Sequence, residues 1–130
     1  MKEFSLFKNN YLKVKIPEGK EKLAEKDNLK YCEVEEKWII CGDEPKRYYL
    51  AIPFDVKDSL KGLIRWDPEK LLWYTYRYHK DIIDKYDLVY LNVPYDNKNE
   101  AKQLGALWHS ERKQWYTPIS NTELVNKFKI

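Results

Sequence analysis

Tyr90-Leu91-Asn92-Val93-Pro94-Tyr95-Asp96, followed through a Lys-rich stretch by Trp108, Glu111-Arg112-Lys113 and Trp115-Tyr116-Thr117, decides how this chain is read, because the chain says it more than once. Tyr49-Leu50-Ala51-Ile52-Pro53-Phe54-Asp55 repeats the opening, with Trp66, Glu69-Lys70 and Trp73-Tyr74-Thr75 behind it and one residue fewer in the middle. A fainter copy comes first. Val14-Lys15-Ile16-Pro17 falls on Leu91 to Pro94, and without a gap Asn28 then falls on Gly105, Tyr31 on Trp108 and Trp38 on Trp115. A short unit copied in tandem describes a small multi-unit scaffold. A unit of about thirty residues is too small to hold itself together without a disulfide or a metal, so the copies are expected to lean on one another.

Within the third copy, Leu91 and Val93 alternate with Tyr90 and Asn92, the period of a half-buried strand, and Pro94 ends the ladder by removing a donor. Asp96 stands where a helix N-cap belongs, ahead of a two-turn helix whose apolar stripe is Ala101 and Leu104, or Leu60 and Leu63 in the second copy. Gly105 closes that helix with a left-handed residue, as Gly62 does in the second copy and Asn28 in the first. The equal spacing of Tyr31 and Trp38, Trp66 and Trp73, and Trp108 and Trp115 predicts a hairpin with the two rings directly opposite, clamped into the core against the helix. Tyr49, Tyr74, Tyr90 and Tyr116 then point to the opposite face, the better place for an aromatic platform.

The expected fold class is α+β: three tandem strand-helix-strand-strand units with antiparallel hairpins, packed into one body. The divisions are a divergent first repeat over 1–45, a second over 46–78, a connector helix over 79–88 around Ile82, Ile83 and Tyr86, a third repeat over 89–119 and a C-terminal helix over 120–130. Ser120 and Glu123 have capping-box spacing for that last helix.

Composition narrows the function. Lysine and arginine (24) nearly cancel aspartate and glutamate (21), leaving +3, so the chain lacks the global field of a strongly basic nucleic-acid binder. Eleven Tyr and five Trp are a large aromatic load for 130 residues. Cys32 and Cys41 are the only cysteines, with no Cys-x-x-Cys or Cys/His cluster, which argues against zinc and for two buried thiols in a reducing cytoplasm. The first residues carry no sustained apolar run of a secretory signal, and no stretch is long enough to span a bilayer, so a cytosolic protein is expected.

The string from Tyr90 to Tyr116, Tyr-Leu-Asn-Val-Pro-Tyr, then Ala-Lys-x-Leu-Gly-Ala-x-Trp, then Lys-x-Trp-Tyr, resembles a small domain of unknown function. That domain is appended to plasmid-transfer primases, antirestriction proteins and other mobile-element DNA proteins. The second copy, Tyr49 to Thr75, resembles it well, and the first, Lys13 to Ile40, distantly. The resemblance implies membership in DNA metabolism by association and brings no activity with it.

One departure between the copies is chemical. Lys57 and Lys98, Lys61 and Lys102, and the basic turn at Lys70 or Arg112-Lys113 match between the later copies, whereas the first has Glu21, Glu25, Glu35 and Glu36 there. A phosphate-binding surface keeps its cations, because each neutralised phosphate releases counterions. The later copies are therefore the candidates for nucleic acid, through Lys57, Lys61, Arg65, Lys70, Lys98, Lys102, Arg112 and Lys113 on backbone and Tyr74, Tyr90 and Tyr116 on bases. Glu21, Glu25, Glu35 and Glu36 are candidates for a protein partner. Catalytic machinery is not visible: His79 and His109 stand in unrelated contexts, and no nucleophile with a base and no Gly-rich phosphate loop is present. Acidic pairs such as Asp67 with Glu69 or Asp81 with Asp84 read as surface residues and not as a metal site. No enzyme, metal or cofactor is expected. Two functions fit: a nucleic-acid-associated accessory module of mobile-element or phage type, and a protein-binding inhibitor of a host defence nuclease, of anti-CRISPR or antirestriction kind, whose acidic first copy engages a basic channel.

Overall fold

The computed structural model describes residues 13–34 and 36–129. The fold is α+β, and its contacts group the chain into two compact units, Met1–Lys46 and Arg47–Ile130. The first unit holds the first repeat: β1 (Lys13–Val14), α1 (Glu21–Lys26), β2 (Leu29–Cys32) and β3 (Lys37–Ile40), in strand order β1-β3-β2. The second unit opens with β4 (Tyr48–Leu50), a 3-10 helix (Phe54–Leu60), β5 (Arg65–Asp67) and β6 (Leu72–Thr75), in order β4-β6-β5. Next comes α2 (Lys80–Tyr86), then β7 (Leu88–Tyr90), a 3-10 turn (Tyr95–Asn97), α3 (Lys98–Gln103), β8 (Leu107–His109) and β9 (Gln114–Pro118), in order β7-β9-β8. The chain ends in α4 (Thr122–Phe128). No helix among the described residues is long and apolar enough to cross a membrane.

Each sheet is antiparallel with its last strand in the centre, and the hairpin registers are equivalent: Tyr31 pairs with Trp38, Trp66 with Trp73 and Trp108 with Trp115. The ring centroids lie 5.6, 5.2 and 5.1 Å apart at interplanar angles of 64°, 65° and 63°, one edge-to-face geometry three times. The left-handed helix stops stand where expected, at Asn28 (φ 68°), Gly62 (φ 86°) and Gly105 (φ 103°). A second left-handed position closes each hairpin turn, and there the chain spends no glycine: Glu36, Leu71 and Lys113 have φ of 53°, 57° and 53°.

Three local expectations are corrected. The second repeat has no two-turn α-helix; Phe54–Leu60 winds as a 3-10 helix. The missing residue explains this, because a 3-10 helix rises about 2.0 Å per residue against about 1.5 Å for an α-helix. Seven such residues span about 14 Å, nearly the ~15 Å of the three 3-10 and six α residues of the third repeat. Asp96 is not an N-cap, since it lies inside the 3-10 turn that begins after the extended Pro94. Nor does Ser120 cap α4: Asn121 does, its side chain accepting from Leu124 N at 3.3 Å and donating to Leu104 O at 2.9 Å. Asn121→Ala thus removes a cap and the tie between α4 and the end of α3, and should destabilise the second unit by about 1–2 kcal/mol in urea unfolding.

The connector and the terminal helix are one element of the repeat. Tyr86 O accepts from Ala51 N at 2.8 Å, and Phe128 O accepts from Asn92 N at 2.7 Å, so α2 and α4 return to the same point beyond β4 and β7. Each then fills a core: Leu50, Ile52 and Ile64 with Ile82 and Tyr86, and Leu91, Ala101 and Ala106 with Leu124 and Phe128. The full unit is strand-helix-strand-strand-helix, and Gly42 to Arg47 contains no helix in the first repeat. Asp87, just past α2, bridges to Leu50 and accepts from Ile119 N at 2.9 Å, which joins the second repeat to the third.

Candidate nucleic-acid interface

Alternation along a strand puts aromatic rings on both faces of each sheet, and packing decides which face is left for a ligand. On the Trp face, Trp73 and Trp115 pack against the two cores, as a clamp requires. Their partners do not: Trp66 is 46 % exposed and Trp108 49 %, which corrects the expectation that both rings are buried. On the Tyr face it is the central Tyr of the second repeat that is covered. Tyr74 is 3 % exposed, beside Tyr49 at 6.1 Å and Tyr76 at 5.7 Å with the Arg47 guanidinium 4.3 Å over its ring. Tyr74 is therefore withdrawn as a stacking platform.

Polar chemistry on the Tyr face is satisfied internally. The buried Asp67 carboxylate accepts from Arg47 Nη1 at 2.7 Å, Tyr49 Oη at 2.6 Å, Glu69 N at 2.9 Å and Lys70 N at 3.1 Å. Burial pushes this carboxyl's pKa up, but the bonds from Tyr49, the Lys70 and Glu69 amides and Arg47 together outweigh it and hold it below 3.8. Burial, reinforced by Asp67, pushes the Tyr49 phenol up. In the third repeat His109 takes the place of Asp67. Its Nε2 lies 2.7 Å from Lys70 O, a carbonyl that only accepts, so Nε2 donates there, and Nδ1 lies 3.3 Å from Tyr90 Oη. His109 thus joins the third repeat to the hairpin turn of the second, with both ring nitrogens occupied. Burial, and then Tyr90, raise the Tyr116 phenol.

The exposed face carries cations. Tyr95 is 77 % exposed, with Lys98 Nζ 4.0 Å from its ring centre and 3.0 Å from its hydroxyl. Together with Trp108, Trp115, Lys113, Leu91 and Val93 they line a groove of about 500 Å³. The second repeat reproduces the pairing: Phe54 is 80 % exposed, with Lys57 Nζ 4.4 Å over its ring and Trp66 on the same hairpin position as Trp108. It lacks the turn cation, since Leu71 stands where Lys113 does. At these places the first repeat has Glu18, Glu21 and Glu36, and the exposed Tyr31 stands at the position of Trp108.

Of the predicted cations, Lys98 and Lys113 line the groove and Lys57 stands over the Phe54 ring. Lys61, Lys70 and Lys102 are exposed, and Arg65 is half-buried on β5. Arg112 is held 4.0 Å over the Tyr90 ring, and Tyr90 and Tyr116 are half-buried. On the acidic repeat Glu21, Glu25 and Glu36 are exposed, Glu21 accepting from Gly19 N at 3.0 Å; Glu35 lies outside the described residues. Cys32 and Cys41 are free and half-buried, not buried. Sequence reasoning missed Phe54, Tyr95, Trp66 and Trp108 as surface rings. The signal was there for two of them: both later copies place an aromatic directly after a proline, at the start of a 3-10 turn.

This geometry can be set beside known proteins. No solved structure matches the chain. One aligned segment of a DNA primase TraC of Escherichia coli is 49 % identical, over 27 % of this chain and 2 % of that protein. Another match to a DNA primase TraC of Escherichia coli is 29 % identical, over 56 % of this chain and 10 % of that protein, so the chain spans at most about a tenth of these relatives. The third repeat with its closing helix, residues 89–128, matches the model of a domain of unknown function (DUF5710).

Proposed function

We propose that this chain is a non-enzymatic accessory module of mobile-element type that binds nucleic acid through the cation-and-aromatic face of its second and third repeats. The observation that carries this is a recurrence: in each later repeat a lysine stands over an exposed ring, Lys57 over Phe54 and Lys98 over Tyr95, and the outer hairpin Trp, Trp66 or Trp108, is half exposed. Backbone is neutralised by such lysines and bases are met by such rings. The partial likeness to a DNA primase supports the same direction. Two free thiols fit a reducing cytoplasm.

Charge reversal of Lys57, Lys61, Lys98 and Lys102 to Glu tests the reading. Wild-type chain should be retained on immobilised polynucleotide at about 50 mM salt and released at about 200 mM, and the quadruple variant should not be retained at either. Equal retention of the two rejects it.

The exposed Glu21, Glu25 and Glu36 of the first repeat favour a second reading, a protein-binding inhibitor of a host defence nuclease that occupies the enzyme's basic channel. Binding to such a nuclease that blocks its nucleic-acid loading and is lost on E21K/E25K/E36K distinguishes it from the first.

A further inference from the structure

We infer that the groove of the third repeat is a subsite for one unpaired nucleotide of a single strand, with the base stacked on Trp108 and its phosphate held by Lys98 and Lys113. This rests on the nucleic-acid reading above and adds strand type and register to it. An edge-to-face contact covers at most one face of a ring, and Trp108, half exposed and propped at 63° against Trp115, keeps a face open. Trp115 is itself fixed against the core of Leu91, Ala101 and Leu124, so the platform is preorganised and stacking orders little side chain. In a duplex the base faces are already stacked on one another. Only an unpaired base offers a face to an indole, and it does so whatever its sequence.

The cations stand on two different elements. Lys98 begins α3, anchored over Tyr95, and Lys113 is the left-handed residue of the hairpin turn. Both line the same groove as Trp108, and its volume of about 500 Å³ is within the ~300–1,000 Å³ of small-ligand sites. A flat cationic face for duplex backbone needs no such recess. The second repeat repeats the ring and one lysine but has Leu71 for the second, so the two sites are unequal, the third repeat's being the stronger. In the first repeat Glu21 and Glu36 stand at the places of the two lysines, where they repel phosphate.

The test uses the full chain and fluorescently labelled oligomers of about twelve nucleotides, within the ~4–16 that single-strand binding domains cover. Oligothymidylate, oligouridylate and a DNA duplex of the same length are titrated by anisotropy. At least one single strand should bind about ten-fold or more tighter than duplex, and the two single-stranded arms separate a DNA ligand from an RNA ligand. Trp108→Ala should weaken that binding about ten-fold and Trp66→Ala about three-fold or less, while Trp108→Phe, which keeps a stacking face, stays within about three-fold of wild type. K98E/K113E should lower the slope of log affinity against log salt by about 0.7, the value for one phosphate of a single strand. Thermal unfolding of each variant excludes loss of fold as the cause. Duplex binding as tight as single strand, or Trp108→Ala in a folded chain binding like wild type, overturns the inference. If K57E/K61E/K98E/K102E still abolishes retention in that case, the broader nucleic-acid reading survives and only the subsite falls; no binding in any arm removes both.

Discussion

Asp67→Ala is expected to destabilise the second unit by about 3–5 kcal/mol, because a buried carboxylate with four donors is replaced by a methyl group. Arg47 and Tyr49 lose this acceptor, and so do the Glu69 and Lys70 amides that shape the hairpin turn. That turn presents Lys70 O to His109, so the loss propagates to the contact between the second and third repeats. Urea unfolding of Asp67→Ala beside wild type measures it, and a change under about 1 kcal/mol would show that the cluster is replaceable. The same residue sets an acid dependence. Its folded carboxyl titrates below the ordinary value of 3.8, so the unfolded chain takes up this proton first as pH falls. The stabilisation is whole above about pH 4, and is lost as pH drops through the lower folded value. Asp67→Asn, which has no such proton to take up, should flatten the stability profile in that window.

Leu50→Ala and Leu91→Ala should each cost about 2–5 kcal/mol, the range for emptying a fully buried leucine site. Both leucines are 1 % exposed at the centre of equivalent cores. The informative part is the shape of the transition. The cores are joined through Asp87, which bridges to Leu50 and accepts from Ile119 N, and through the His109–Lys70 hydrogen bond. Loss in either core should therefore lower a single cooperative transition of the second unit by a similar amount. Two separate transitions in Leu91→Ala, one at the wild-type midpoint, would mean that the third repeat melts independently of the second.

Much of the local structure was legible. Hairpin register follows from ring spacing, because two residues on one face of a strand pair can face each other only at a fixed separation around the turn. The left-handed stops at Asn28, Gly62 and Gly105 follow from the few residues that adopt that conformation cheaply. The same rule failed at Glu36, Leu71 and Lys113, where turn closure imposes a left-handed backbone on residues that do not advertise it. The 3-10 winding of Phe54–Leu60 was written in the sequence as one missing residue, but only a fixed span between strand and hairpin turns that deletion into a tighter coil.

The candidate site was legible as charge and not as surface. The lysine-to-glutamate inversion between repeats picked out Lys57 and Lys98, which do lie against exposed rings. It did not pick out the rings. Strand alternation divides aromatic residues evenly between the faces, with no sign of which face another repeat will cover. Phe54 and Tyr95 received no role from the sequence, although each follows an extended proline directly and begins a 3-10 turn.

By itself the order of residues determined a thrice-repeated hairpin with its aromatic pairs in register, since that needs only short-range spacing and backbone preference. The tertiary structure alone decided that α2 and α4 complete the repeat, that Asp67 and His109 are buried against Tyr49 and Tyr90, and that the outer ring of each pair stays half open. Those outcomes depend on contacts between segments far apart in the chain, and in such contacts the burial of one face is what leaves the other to solvent.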